Sequence, residues 1–196
     1  MLSDAQIDRW SRQILLPDVG GRGQLRLLGA RVGLVGDGRV AAQCVDLLRR
    51  AGVPVTAGVV PDDAEVFVDL AADTDAGVAL ARRAVAAGAP LVRGRIAGAA
   101  ATVDTLTGRP CGCCATAGQP VPARGANALA IPAAQALAIP AAQALAALVA
   151  AEVLGVLLAP PRHGRRQRID LAAGDFWSAA LAGPACEVCD ECGARP

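Results

Sequence analysis

The run Arg31-Val-Gly-Leu-Val35 leads directly into Gly36-Asp-Gly-Arg-Val-Ala41, and a helix-forming stretch follows over 42–51 until Gly52. Strand, glycine turn and helix in this order open a nucleotide-binding βαβ unit, which commits the chain to parallel strands with a helix laid over them. Gly36 and Gly38 allow a tight turn and a close approach of backbone to a ligand. Asp37 between them puts a negative charge where phosphates would lie, and Arg39 is placed to offset it. A glycine pattern this short also serves as a purely structural turn, so both readings stand at this point.

The flanking sequence extends the same architecture. Ser3-x-x-Gln6 reads as a capping box opening a helix to about residue 16, where Pro17 and Gly20-Gly21 end it. A short helix covers 23–28. Strands are expected over 53–60 and 65–70, then a helix over 74–87 capped by Gly88, then the strand Pro90-Leu-Val-Arg93. Residues 97–106 alternate weakly and read as an antiparallel extension. The octapeptide Ala-Leu-Ala-Ile-Pro-Ala-Ala-Gln occurs at 128–135 and again at 136–143, a local duplication too short for a solenoid period. Pro140 suits the first turn of a helix, and Leu145, Leu148, Val149, Val153, Val156 and Leu157 then form one apolar stripe at helical spacing. The basic run 162–168 reads as a solvated edge, with His163 on the surface; strands follow at 169–171 and from Phe176-Trp177. The fold class is α/β: a shortened Rossmann-like, mostly parallel sheet with helices on both faces.

Two Cys-x-x-Cys pairs stand far apart, Cys111-Gly-Cys-Cys114 and Cys186-Glu-Val-Cys189. Each presents two thiolates to one ion, and two pairs together make the closed tetrahedral sulfur site of structural zinc. Cys111, Cys114, Cys186 and Cys189 are the expected ligands of a Zn2+ that clips the C-terminal part of the chain. Cys113 and Cys192 are possible substitutes, and redox use of the dithiols is the alternative. Cys44 reads as a small core residue.

At 196 residues one domain is expected, and with 54% apolar but only 2% aromatic residues its core must be built from Ala, Val and Leu. The net charge of +1 gives no broad electrostatic case for nucleic acid or an anionic membrane. The N-terminus carries charges where a signal peptide needs an apolar run. The apolar segment 128–159 is interrupted by Pro132, Gln135, Pro140, Gln143 and Glu152 and reads as a buried helix rather than a membrane span. A cytoplasmic location follows, in which the cysteines stay reduced.

Several motifs in sequence order resemble one family. Arg9-Trp-Ser-Arg-Gln-Ile14, Gly23-Gln-Leu-Arg-Leu-Leu28, Arg31-Val-Gly-Leu-Val-Gly36, Val66-Phe-Val-Asp69, Pro90-Leu-Val-Arg-Gly94, the two cysteine pairs and Glu152 are similar to the MoeB/ThiF family, relatives of the ubiquitin-activating enzymes. The resemblance implies adenylylation of the C-terminal glycine of a ubiquitin-like sulfur-carrier protein, with ATP and Mg2+ at the glycine turn. It also implies a dimer in which Arg12 reaches the neighbouring subunit's nucleotide in trans.

The same resemblance exposes departures. The family's phosphate-reaching lysine has no counterpart, because all 19 basic residues are Arg. The segment between the strand at 53 and Pro61-Asp-Asp-Ala-Glu65 is short by some tens of residues, and with it go the family's ribose-holding acid and its Ser-Asn-Leu-x-Arg-Gln stretch. The metal-binding Asp of the family's Asp-x-Thr-Asp-Asn falls on Ala72, with Asp73 one residue late. Glu152, facing the apolar stripe, is expected to be buried and hydrogen-bonded.

One ThiF/MoeB-like domain is therefore expected over 1–196, with N-terminal helices over 1–29, a Rossmann-like core over 30–110 and a zinc-clipped part over 111–196. Gly36, Gly38, Arg39, Asp73 and, in trans, Arg12 are the candidate nucleotide-binding residues; no catalytic residue is assigned. The leading functional reading is a binding or partner subunit, with ATP binding doubtful, that works with a sulfur-carrier protein or an intact homologous subunit. The alternatives are a minimal active adenylyltransferase and a dithiol redox or other nucleotide-binding protein.

Overall fold

A computed structural model of the chain describes residues 1–71, 74–107, 136–159 and 164–181. The N-terminal capping box forms as expected: Ser3 Oγ accepts from the Gln6 N–H at 3.3 Å, and Gln6 Oε1 accepts from the Ser3 N–H at 2.9 Å, opening α1 (Asp4–Ile14). Helix α2 (Gly20–Leu28) begins three residues before its expected start. Strand β1 (Val32–Gly36) then enters α3 (Gly38–Arg50), which starts at the glycine turn itself rather than at Ala42. After β2 (Val55–Ala57) come β3 (Val66–Leu70), α4 (Thr74–Ala86), β4 (Leu91–Ala97), β5 (Ala100–Leu106), α5 (Ala138–Leu158), β6 (Gly164–Asp170) and β7 (Asp175–Leu181).

These seven strands make one sheet in the order β2-β1-β3-β4-β5-β6-β7. The β2-β1-β3-β4 half is parallel and each later pairing is antiparallel, so the sheet is mixed rather than mostly parallel. The cause lies in the connections. Gly98, at φ +59°, lets β4 turn straight back into β5, and the Leu171–Gly174 turn does the same for β6 and β7. In that turn Asp170 Oδ1 accepts from the N–H groups of Ala172 and Ala173, both at 3.1 Å. A hydrogen bond from Arg168 is the main cause that holds the Asp170 carboxyl below the usual carboxylate range.

Helices cover both faces. On one face α3 and α5 press Cys44, Leu48, Leu145, Val149 and Val153 onto Val32, Leu34, Val66, Val68, Val92 and Val103. On the other, Leu80, Ala81 and Ala84 of α4 meet Phe67, Leu91, Leu106 and Leu181. Alternation along β3 divides the two: Val66 and Val68 point to the first face and Phe67 to the second. Burying each such Leu, Val or Phe stabilises the fold by about 1.5–3 kcal/mol. Helix α5 is long and apolar enough to cross a membrane by length and composition, but it lies on the sheet with Leu145, Val149 and Val153 buried, as the apolar stripe predicts.

The β2-to-β3 connection holds no helix; residues 58–65 alone carry the chain across β1. Val60 does the covering that a crossover helix would do, and it sits so close over β1 that a Cβ on Gly33 would lie 2.1 Å from its Cγ1. The short crossover read from the sequence is thus accommodated by a valine-into-glycine contact. Arg83 fastens the loop, donating to the Val60 carbonyl and to Asp62, both at 2.6 Å. Gly33→Ala is expected to cost about 1–3 kcal/mol through overpacking. Adding Val60→Ala should recover part of that loss, so the double variant should be less unstable than the two single losses summed, as read by urea denaturation. Simple additivity would contradict this packing.

Candidate functional site

The parallel strands end where β1 and β3 part company, since α3 carries the chain from β1 towards β2 while β3 lies on the other side. Crevices at the carboxyl ends of strands at such a reversal are where α/β sheets bind ligands. Gly36 and Gly38 both have positive φ, +146° and +72°. At Gly36 a Cβ would lie within 2.7–2.8 Å of Leu70 backbone atoms, so glycine is what lets the ends of β1 and β3 sit side by side. The flank of Gly38 is open, with nothing within 4 Å of a built Cβ. Asp37 is exposed, extended and makes no side-chain cap, so its carboxylate does not occupy the first N–H groups of α3.

A cavity of about 490 Å³ adjoins this turn, between the first turns of α3 and α5. Arg39, Val40, Ala42 and Gln43 line one side; Ala138, Ile139, Ala142 and Gln143, from the second copy of the octapeptide, line the other. Of the expected nucleotide residues, Arg39 lines this cavity, and Gly36 and Gly38 form the turn just before it. Asp73 lies outside the described residues. Arg12 is exposed on α1 and does not line the cavity. Its helix is held by Trp10, whose Nε1–H donates to the Arg50 carbonyl at 3.0 Å and over which Arg9 stacks at 5.1 Å.

Asp69, near the end of β3 in Val66-Phe-Val-Asp69, organises the carboxyl end of that strand, a role with no local signal in the sequence. It is fully buried; Oδ2 accepts from Arg93 Nε at 2.8 Å and Arg95 Nη2 at 2.7 Å, while Oδ1 accepts from the Ala71 N–H at 3.1 Å. Strand register continues the pattern. Asp69 faces Arg93, Arg93 faces Asp104, and Asp104 faces Arg166, an alternating ladder of charge across four strands on the α4 face. Asp104 and Arg166 meet in a two-pronged pair at 2.6 and 2.8 Å, and this hydrogen bond, working against desolvation, raises the guanidinium's pKa above its ordinary value. Relative exposures of 0, 5, 4 and 8% along the ladder make it a buried network. Removing one partner from such a pair costs about 3–5 kcal/mol, because the other charge is left uncompensated.

The basic run 162–168 is therefore not a solvated edge in its described part, which is strand β6. Arg166 enters the ladder on one face, while on the other Arg165 pairs with Glu152 of α5. Glu152 is buried and hydrogen-bonded as expected: Thr105 Oγ1 donates to it at 2.7 Å. Cys44 is likewise a core residue, with a thiol that burial pushes up to about 12, a group without thiolate character at neutral pH. His163 and all four expected zinc ligands, Cys111, Cys114, Cys186 and Cys189, lie outside the described residues; among the described residues no cluster of potential metal ligands occurs. The strands do set where both cysteine segments leave the sheet. Leu106 and Leu181 end β5 and β7 on either side of Gly164, two strand spacings or about 10 Å apart.

Comparison with known proteins gives the chain relatives. The adenylyltransferase and sulfurtransferase MOCS3 of Mus musculus is 42% identical over 91 residues, 44% of this chain and 20% of that protein. The SAMP-activating enzyme E1 of Haloferax volcanii is 44% identical over 52 residues, 26% of this chain and 19% of that protein. The match thus spans about a fifth of the length of these curated relatives. No family model matches the chain. Among solved structures PaaA superposes with a TM-score of 0.68 at 12% identity, over 93% of this chain and 85% of that one. Escherichia coli MccB with ATP gives 0.65 at 14%, over 95% and 75%. At such identities the structural likeness speaks for the fold alone. The sequence matches bear out the resemblance to the MoeB/ThiF type.

Proposed function

We propose that this MoeB/ThiF-type chain binds the C-terminal tail of a ubiquitin-like sulfur carrier, or of a peptide, as a partner subunit whose own adenylating pocket is degenerate. The names of the relatives point to the reaction class: one is an adenylyltransferase, one activates SAMP, and MccB was solved with the peptide MccA. What carries the reading of lost activity is the charge at the carboxyl edge. Adenylylation places cations and a metal around phosphates. This chain has no Lys, joins β2 to β3 by residues 58–65 alone, and commits Asp69 to two internal guanidiniums.

One observation favours the second reading, a minimal active adenylyltransferase: the turn keeps both left-handed glycines, and Gly38 faces open space beside Arg39. An ATP–pyrophosphate exchange assay separates the two. The chain alone with a candidate carrier should give no exchange, and exchange above background would make it an enzyme. On the partner reading, a dimer with an intact homologous subunit gives Arg12 its use in trans. Arg12→Ala should then slow exchange by the mixed complex about a hundred- to a thousandfold without loosening association. Equal rates for both forms, or no complex on size-exclusion chromatography, would refute that role.

Zinc is the proposed clip of the C-terminal part. Cys111 follows Thr107 by four residues and Cys186 follows Leu181 by five, and such segments reach at most about 13–18 Å. Chain ends about 10 Å apart at one edge of the sheet suit convergence of both pairs on a single ion. Reduced protein should carry one zinc per chain by metal analysis, and Cys186→Ser/Cys189→Ser should lose it and melt lower. Absence of stoichiometric zinc, or unchanged melting, would remove the clip.

A further inference from the structure

Arg95 is anchored but not saturated. Its Nη1 donates to the carbonyls of Asp69 at 3.2 Å and Gly94 at 2.7 Å, and one Nη2 hydrogen goes to Asp69 Oδ2 at 2.7 Å. The Nε–H and the second Nη2–H, which form the side edge of the guanidinium, have no acceptor among the described residues. Asp69 divides its one charge between Arg93 and Arg95, and Arg95 is 41% exposed two residues beyond the last β3–β4 pairing. A guanidinium held rigid on one edge and free on the other is preorganised for a second planar acceptor.

The neighbouring strands extend this row. Thr102 faces Arg95 across β4 and β5, Arg168 faces Thr102 across β5 and β6, and Trp177 faces Arg168 on β7. Residues opposed in antiparallel strands share a face with Cβ atoms about 5 Å apart. The Thr102 hydroxyl, partly buried, has no hydrogen-bond partner among the described residues, whereas Arg168 is paired with Asp170 at 3.0 Å. In the first turn of α4, Gly77 makes room for the head of Arg95: a Cβ there would lie 3.1 Å from Arg95 Nη2 and 2.8 Å from Asp69 Oδ2.

We propose that Arg95 and Thr102 form an oxyanion site that takes the terminal carboxylate of the bound tail, with Trp177 at the far end of the row as an apolar wall for its last residues. The assignment deepens the tail-binding reading and rests on it. One free fork and one hydroxyl match two oxygens and a single charge, the chemistry of a carboxylate rather than of a doubly charged phosphate. Capture of a chain end through its carboxylate is an established mode of peptide recognition. No residue here contributes to adenylylation; Arg95 and Thr102 hold and orient the tail.

The test uses the full chain and two synthetic peptides ending in Gly-Gly, one with a free carboxylate and one amidated, titrated calorimetrically. The acid is expected to bind about ten- to a hundredfold more tightly, as a charge-assisted pair gives. Arg95→Met should abolish that preference. Arg95→Lys keeps a cation beside Asp69 without the fork and should retain only a small part of it; circular dichroism identifies folded variants, and the Lys variant decides if the Met variant does not fold. Full acid preference in a folded variant overturns the site. Equal binding of acid and amide by the unaltered chain also overturns it while leaving tail binding intact, whereas binding of neither peptide overturns both. Inorganic phosphate that binds through Arg95 more tightly than the acid peptide would assign the fork to phosphate and overturn the carboxylate.

Discussion

The buried carboxylate of Asp69 ties the parallel half of the sheet to the antiparallel half. Arg93 stands between Asp69 and Asp104, and Arg166 follows, so one row of side chains runs from β3 to β6 at fixed register. Strands rich in Ala, Gly and Val would pack nearly as well after a slip of two residues. A row of alternating charges would not, since a slip sets guanidiniums and carboxylates against apolar neighbours in a site that water does not reach. The ladder also fixes what the carboxyl edge can offer a ligand. Asp69 accepts three hydrogen bonds from within the chain and has little capacity left for an ion.

The other determinant is the crossover over β1. Eight residues cannot form a covering helix, so the sheet there is narrow in depth: Val60 lies against Gly33, and α4 covers what remains. In an open doubly wound sheet the segment after the second strand supplies much of a nucleotide's surroundings. Its reduction removes groups from one side of the glycine turn while leaving β1, the turn and α3 undisturbed. The shape of the fold is kept, as the superpositions on PaaA and MccB over more than nine-tenths of the chain show.

Local signals carried the sequence reading where interactions are local. The capping box of α1, the glycine turn between β1 and α3, the apolar stripe of α5 and the burial of Cys44 and Glu152 all depend on patterns within a few residues or on simple polarity. The ladder was out of reach for the opposite reason. Asp104 and Arg166 are 62 positions apart and Asp69 and Arg93 are 24 apart, and a charged residue alternating with apolar ones along a strand looks solvent-facing until a helix is known to cover that face. The run 162–168 reads as a solvated edge because arginines suggest water when their carboxylate partners are not visible, and its described part, 164–168, is instead an inner strand. The early start of α3 has a different cause, since Gly38, its first residue, is a poor helix former and reads as part of the turn. The mixed sheet followed from a hairpin at Gly98 that the weak alternation of 97–106 only partly signalled.

Charge at the carboxyl edge thus serves the sheet and a half-exposed guanidinium fork, and on the proposed reading the glycine turn offers a nucleotide little beyond Gly36, Gly38 and Arg39 among the described residues. Titration of the full chain with ATP and Mg2+ in a calorimeter tests this account most directly. No saturable binding is expected up to roughly millimolar nucleotide, which corresponds to an affinity weaker than about −4 kcal/mol. Stoichiometric binding with a dissociation constant of roughly micromolar order, about −8 kcal/mol, would contradict it.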